Sequence, residues 1–281
     1  MIFIHYLSKY ILNIFIWKLF ILTVNALETL NIYDFQTFEK ELEKCDKYRD
    51  VEFVMKNNIT ISHQIEISYK EDVNIHITSS NENVYINQEF KDINPINHNV
   101  NQNLMIKLSN VKKIIIDSIN INGNIGIYET NAFSIISSDI MGDIILSKIK
   151  NEFLIKNIHF KPNSEIAKNG YIIKLNESSK GTISNITLDA DVSIKQVISI
   201  HNCYNIIIKD SKFNGSLDKV EYIPDFHRVF AIYNSKKIEL NNLHIQNFGG
   251  NTPEGYVQTI IIIITIIIII IIIIKLLLLL L

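Results

Sequence analysis

The chain has 281 residues, 47% of them apolar, enough to bury a sizeable core in one or two domains, and a single large all-β domain fits that length. A formal net charge of −2 provides no basic excess to neutralise phosphates, so no nucleic-acid partner is expected. Arginine occurs only at Arg49 and Arg228 while Ile, Asn and Lys abound, the bias an AT-rich genome imposes, so asparagine abundance alone carries no argument.

Residues 1–26 read as a secretory signal. His5 and Lys9 form a short polar start, Tyr10 to Val24 is mostly apolar, and Val24-Asn25-Ala26 has the small-residue spacing that signal peptidase accepts. Lys18 interrupts the apolar stretch at a cost in insertion energy, and an uncleaved N-terminal anchor is the competing reading. Next, Asp34 precedes Phe35, Phe38 and Leu42 at helical spacing, which predicts a short capped helix. Period-two alternation begins at Val51-x-Phe53-x-Met55 and continues through Ile59-x-Ile61, Ile65-x-Ile67 and Val73-x-Ile75-x-Ile77.

An eight-residue frame then recurs. It reads Ile114-x-Ile116, Ser118, Ile119-x-Ile121, and returns as Phe153-x-Ile155, Asn157, Ile158-x-Phe160. Further copies are Gly181-x-Ile183, Asn185, Ile186-x-Leu188, then Ile206-x-Ile208, Asp210, Ser211-x-Phe213, then Ile238-x-Leu240, Asn242, Leu243-x-Ile245. Gly181 and Ser211 depart from it, each a small residue at an apolar position. Upstream of four copies lies a third apolar pair, Ile106-x-Leu108, Ile173-x-Leu175, Ile198-x-Ile200 and Phe230-x-Ile232, followed by a bend expected at Asn110, Asn176, Asn202 and Asn234. The long step from Ile114 to Phe153 must contain one weaker copy around Ser134–Met141. The phase slips by one residue at each Asn or Asp, as a corner requires, because these residues tolerate left-handed backbone and can bond it locally. Three short strands joined by two corners and a looser loop make one turn of a parallel solenoid.

These units resemble those of right-handed parallel β-helix proteins, the pectin-lyase-like fold, over roughly residues 30–250. The resemblance implies an all-β, single-stranded right-handed parallel β-helix over 27–250, closed at its start by the short helix. About nine turns at ~4.8 Å per strand would give a rod on the order of 40 Å long. Asn157, Asn185, Asp210 and Asn242 are then a structural ladder at corners rather than ligand-binding residues.

Sugar-cleaving members of this fold gather carboxylates on adjacent turns, with a calcium ion or a water between them. That family's polygalacturonase-like set of motifs is absent here. The nearest acid groups are Asp139 with Asp143, and Asp189 with Asp191; the second pair would share one strand face, yet no neighbouring turn shows matching acids at the equivalent place. The longest insertion, between Asn214 and Arg228, holds Asp218, Glu221, Tyr222, Asp225 and His227; together with Arg228 they could grip a sugar or carboxylate, or form an ordinary polar loop. The catalytic candidates are therefore Asp189, Asp191, His227 and Arg228, each set against a solvated face. No metal-ligand spacing, nucleophile elbow or phosphate loop is present, and with nine glycines a Gly-rich cradle is hardly available, so no cofactor is expected. Asn58, Asn176, Asn185 and Asn214 are glycosylation acceptors by triplet. Cys45 and Cys203 lie far apart in sequence, and in a solenoid such segments do not meet, so no disulfide is expected.

Residues 251–281 end in near-pure Ile from Ile260, broken by Thr265, then Lys275 and a Leu run. Three readings stay open for 260–281: a low-complexity artefact, a C-terminal membrane helix, or a lipid-anchor signal behind Gly249-Gly250-Asn251. The expected role is non-enzymatic, an exported or surface-displayed β-helix contacting polysaccharide or other proteins; the alternative is a carbohydrate-active enzyme, a lyase or hydrolase. A truncated solenoid with an open, self-associating end is a third expectation.

Overall fold

The computed structural model describes residues 27–70, 72–81, 83–89, 104–162, 171–189, 196–215, 228–246 and 248. Residues 1–26, expected as a secretory signal, and the Ile/Leu tail 260–281 lie outside these, as do Asp191 and His227. Among the described residues, no helix is long and apolar enough to cross a membrane.

Among the described residues the architecture is all-β, built from parallel strands in two sheets, with one α-helix. Strand β1 (Glu28–Ile32) pairs with β2 (Asp50–Met55), and helix α1 (Phe35–Glu43) lies between them in sequence. The helix starts where predicted: Asp34 Oδ1 accepts the Thr37 N–H at 2.8 Å, satisfying one orphan donor of the first turn. Those bonds hold the Asp34 carboxyl below its usual range. Phe38 and Leu42 turn fully inward, and Phe38 meets Phe53 edge-on at 5.7 Å. Leu30 and Ile32 alternate as a strand, yet β1 falls before the expected start of the repeats; only its pairing with β2 makes it part of the stack.

The remaining strands are β3 (Ile59–Ile61), β4 (Ile65–Ser68), β5 (Asn74–Ser79), β6 (Tyr85–Gln88), β7 (Ile106–Ser109), β8 (Lys113–Asp117), β9 (Asn120–Asn122), β10 (Ile125–Tyr128) and β11 (Ala132–Ile140). They continue as β12 (Ile144–Ser147), β13 (Glu152–Phe160), β14 (Tyr171–Asn176), β15 (Ser179–Asp189), β16 (Gln196–His201), β17 (Tyr204–Asn214), β18 (Arg228–Tyr233) and β19 (Lys236–Gln246). The larger sheet runs β1-β2-β5-β8-β11-β13-β15-β17-β19, with β3, β6 and β9 joined to it at β11; the smaller runs β18-β16-β14-β12-β10-β7-β4. Early repeats give the larger sheet two short strands. From β11 onward these fuse into one long strand: β11 pairs with β8 along its first half and with β9 at Ile140. Strand β11 is the copy expected between Ile114 and Phe153, with Phe133 opposite both.

Register stacks like on like. Ile116, Ile135, Ile155, Ile183 and Ile208 form one buried column in the larger sheet, and Ile106, Ile125, Ile144, Ile173 and Ile198 another in the smaller. Each buried Ile is worth about 1.5–3 kcal/mol relative to exposure, so these columns are the main favourable term. Burial fades at the last repeat, where Ile232 is 41% and Leu240 38% exposed. Strands β18 and β19 end their sheets, with no second strand neighbour among the described residues.

Both departures from the repeat have a packing reason. Gly181 lies opposite Phe153, whose ring occupies the space a Cβ at 181 would need. Ser211 is buried, donates its hydroxyl to Lys209 O at 2.7 Å, and accepts the Ile186 N–H at 3.1 Å. An apolar side chain there would leave that N–H without this partner.

The corners are left-handed residues. Ser118, Ser137, Asn157, Asn185, Asp210 and Asn242 all have φ between 49° and 55°. Asn185 Nδ2 donates to Asn157 Oδ1, and Asn242 Nδ2 to Asp210 Oδ1, each at 2.8 Å. At the other corner Asn110, Asn202 and Asn234 turn as expected, but Asn176 does not. It is the last residue of β14, opposite Ser147 and His201, and the left-handed position falls to Glu177 at φ 49°. Glu129 and Lys148 hold the equivalent place. Main-chain bonds between repeats decide this: Glu129 N donates to Ser147 O, Lys148 N to Asn176 O and Glu177 N to His201 O, at 2.9 to 3.0 Å. These bonds offset the ~1–2 kcal/mol that left-handed backbone costs an ordinary residue.

Cys45 and Cys203 are both free and buried.

Candidate functional site

Beyond the left-handed corner, the second halves of β11, β13, β15 and β17 point Ile140, Phe160, Leu188 and Phe213 inward, so the flanking residues face out. In register this stacks Asp139, His159, Thr187, Lys212 and His244 in one outward column. Asp189, Asn214 and Gln246 form the next, with Lys161 just past the end of β13.

The side chains link into a row. Lys161 Nζ lies 2.8 Å from Asp139 Oδ2, and His159 Nδ1 lies 3.8 Å from Asp139 Oδ1. On the other side, His159 Nε2 lies 3.3 Å from Asp189 Oδ2, and Asn214 Nδ2 reaches Asp189 Oδ1 at 3.5 Å. Asp139 is also held by its backbone, whose N–H donates to Asn120 Oδ1 at 3.0 Å. Its carboxylate raises the Lys161 pKa, mainly through the hydrogen bond. The row is one-third to one-half exposed, so water screens its pairs and each adds little to stability. Its value is chemical: two carboxylates with lone pairs to spare, an imidazole between them and an ammonium at one end. Such a set accepts hydrogen bonds from hydroxyl groups and can move a proton.

Of the four catalytic candidates, Asp189 is the one this row contains. Its partners come from neighbouring strands rather than from its own. The expected pair Asp139 and Asp143 separates, because Asp143 is buried past the end of β11 and takes the Asn124 Oδ1 atom on its N–H at 2.8 Å. Asn214 stands opposite Asp189 and His159 opposite Asp139, so no adjacent strand places an acid at the equivalent position; the two carboxylates instead reach His159 from either side, two strands apart. Arg228 opens β18 opposite Gln196, in the other sheet. Distance along the chain separates His159 and Lys161 from both acids. Aligned on the corners Ser137, Asn157 and Asn185, they fall at once beside Asp139 and Asp189.

A second polar feature is a cleft of about 520 Å³ lined by Asp46, Lys47, Tyr48, Arg49, Asp50, Asp72, Asn74 and Lys112. Its charges are mixed, and Asn74 Nδ2 donates to Asp50 Oδ1 at 2.5 Å. Among the described residues no three His, Cys, Asp or Glu side chains converge so as to hold a metal ion.

Fold and row together define a class: an all-β protein of stacked parallel strands with an ordered polar face. No protein family, no characterised protein and no solved structure matches this chain.

Proposed function

We propose that the protein is a right-handed parallel β-helix, exported and displayed at or released from the cell surface, that binds polysaccharide along its outward polar face without cleaving it. One observation carries this reading: Lys161, Asp139, His159, Asp189 and Asn214 form a continuous row across four successive strands. A row stepping at the ~4.8 Å strand spacing offers an extended chain of hydroxyl groups repeated acceptors and donors. The stacking of like on like in both sheets supports the β-helix reading. The apolar segment 1–26 supports export, and 260–281 is the candidate anchor. Binding of the full chain to a panel of plant and microbial glycans tests the role. The expected result is retention of at least one acidic or neutral polysaccharide, weakened about tenfold or more by Asp139→Ala with Asp189→Ala, the loss of two charge-assisted hydrogen bonds. Equal binding by the double variant would sink the assignment.

The flanking of His159 by two carboxylates favours an enzymatic second reading, a lyase or hydrolase in which the imidazole or one carboxylate transfers the proton. Release of reducing ends or unsaturated uronates with calcium present, abolished by His159→Ala, would establish it; absence of turnover leaves the binding role.

A further inference from the structure

We propose that Asn58 is the N-glycan attachment site of the folded chain, and that Asn176 and Asn185, which carry the same triplet, are not. The inference rests on the export reading and adds a modification to it.

An N-glycan joins the side-chain nitrogen, so the fold must hold the amide by its oxygen and leave the nitrogen outward. Asn58 does this. Its Oδ1 accepts the Tyr85 N–H at 2.9 Å, the residue is exposed, and its Nδ2 has no acceptor among the described residues. Ile59 is buried opposite Ile86, which turns Thr60 outward and exposed beside the asparagine. The attachment forms a bond between Nδ2 and the anomeric carbon of the first sugar. It breaks that carbon's bond to a lipid-diphosphate oligosaccharide donor, whose oxygen leaves with the electron pair. One Nδ2 proton is lost to base and the other stays, and the bond from Tyr85 survives because it uses the oxygen.

The rival sites spend their nitrogen on the fold. Asn176 Nδ2 donates to both Ser147 Oγ and Glu177 Oε1 at 3.3 Å, and the Ser178 of its triplet is buried, donating to Asn176 O and accepting the Ile149 N–H. A sugar at Asn176 would displace one of the two donor bonds. Asn185 Nδ2 points along the corner ladder, 2.8 Å from Asn157 Oδ1, where a sugar would have to wedge between repeats. Asn214 Nδ2 reaches Asp189 in the polar row, so a glycan there would sit on the proposed binding face.

The experiment produces the full chain in a glycosylating eukaryotic cell in two forms, one with its own N-terminus and one with an added cleavable leader. Glycosidase release in heavy-oxygen water marks each formerly glycosylated Asn as labelled Asp. The expected result is a label at Asn58 and none at Asn176 or Asn185 in folded, protease-resistant protein. Thr60→Ala should remove that glycan and leave the urea midpoint equal to that of the enzymatically deglycosylated chain. Leader-bearing protein with Asn58 unlabelled, or with Asn176 or Asn185 labelled, overturns the proposal. Labelling at Asn58 only when the leader is added sustains the site and sinks the export reading instead.

Discussion

Asn185 donates its side-chain amide to Asn157 Oδ1 at 2.8 Å, and both residues hold left-handed backbone, at φ 52° and 55°. Here one residue type does two things: it tolerates the turn, and it ties that turn to a neighbouring repeat.

The two contributions separate by substitution. Asn185→Gly keeps the turn and loses the side-chain bond; Asn185→Ala loses both. We expect losses of about 1 kcal/mol for Gly and about 2–3 kcal/mol for Ala. Urea unfolding ranks them. Equal losses would mean that left-handed backbone at this corner costs nothing.

Restoring the repeat at Gly181 should harm the protein. Gly181→Ala places a methyl group against the Phe153 ring and should cost about 1–3 kcal/mol. Combining it with Phe153→Leu should recover part of that cost, which a double-mutant cycle measures. Additive losses would show that the clash is relieved elsewhere.

Ser211→Ala should cost about 1–3 kcal/mol, because the Ile186 N–H loses its buried partner while little volume changes. Slowed amide exchange at Ile186 in the variant would contradict this; faster exchange is expected.

His201 sits on the outward side of β16, stacked on Tyr233 at 4.6 Å, with Nε2 2.9 Å from Ser199 Oγ. Burial, and then the Lys174 charge, lower its pKa below 6.5. The unfolded chain thus binds more protons than the folded one between that lowered value and 6.5, so stability falls as pH drops through this window. His201→Gln should flatten the dependence. Urea midpoints at about pH 7.5 and about pH 5.5 for both proteins provide the check. A steeper fall in the variant would show that protonated His201 stabilises the fold.

Burial pushes the Cys45 thiol up to about 12 and raises Cys203 as well. Cys45 Sγ lies 3.4 Å from Glu41 O and Cys203 Sγ 3.1 Å from His201 O. Neither thiolate is populated near neutral pH, so a thiol reagent should label neither in native protein and both in denaturant. Rapid native labelling of Cys203 would mean that the corner around it opens.

Much of the fold was legible because alternation is local. Ile114-x-Ile116 declares a half-buried strand without reference to any other residue, and Asp34 with Phe38 and Leu42 declares a capped helix. Corners were legible only where the residue type itself favours left-handed backbone, as at Asn157, Asn202 and Asp210. Residue type misleads at Asn176-Glu177, where the better turn former lies one position too early and bonds to the neighbouring repeat place the turn at glutamate.

The sequence by itself determined the strands, their inward faces, the capped helix and most corners, since each depends on interactions within a few residues. Tertiary structure alone decided what lies beside what: Phe153 over Gly181, Ser211 beneath Ile186, and Asp139 and Asp189 on either side of His159. The physical reason is register. Parallel strands pair residues that loops of unequal length separate in sequence, so distance along the chain conceals the neighbours that stacking creates.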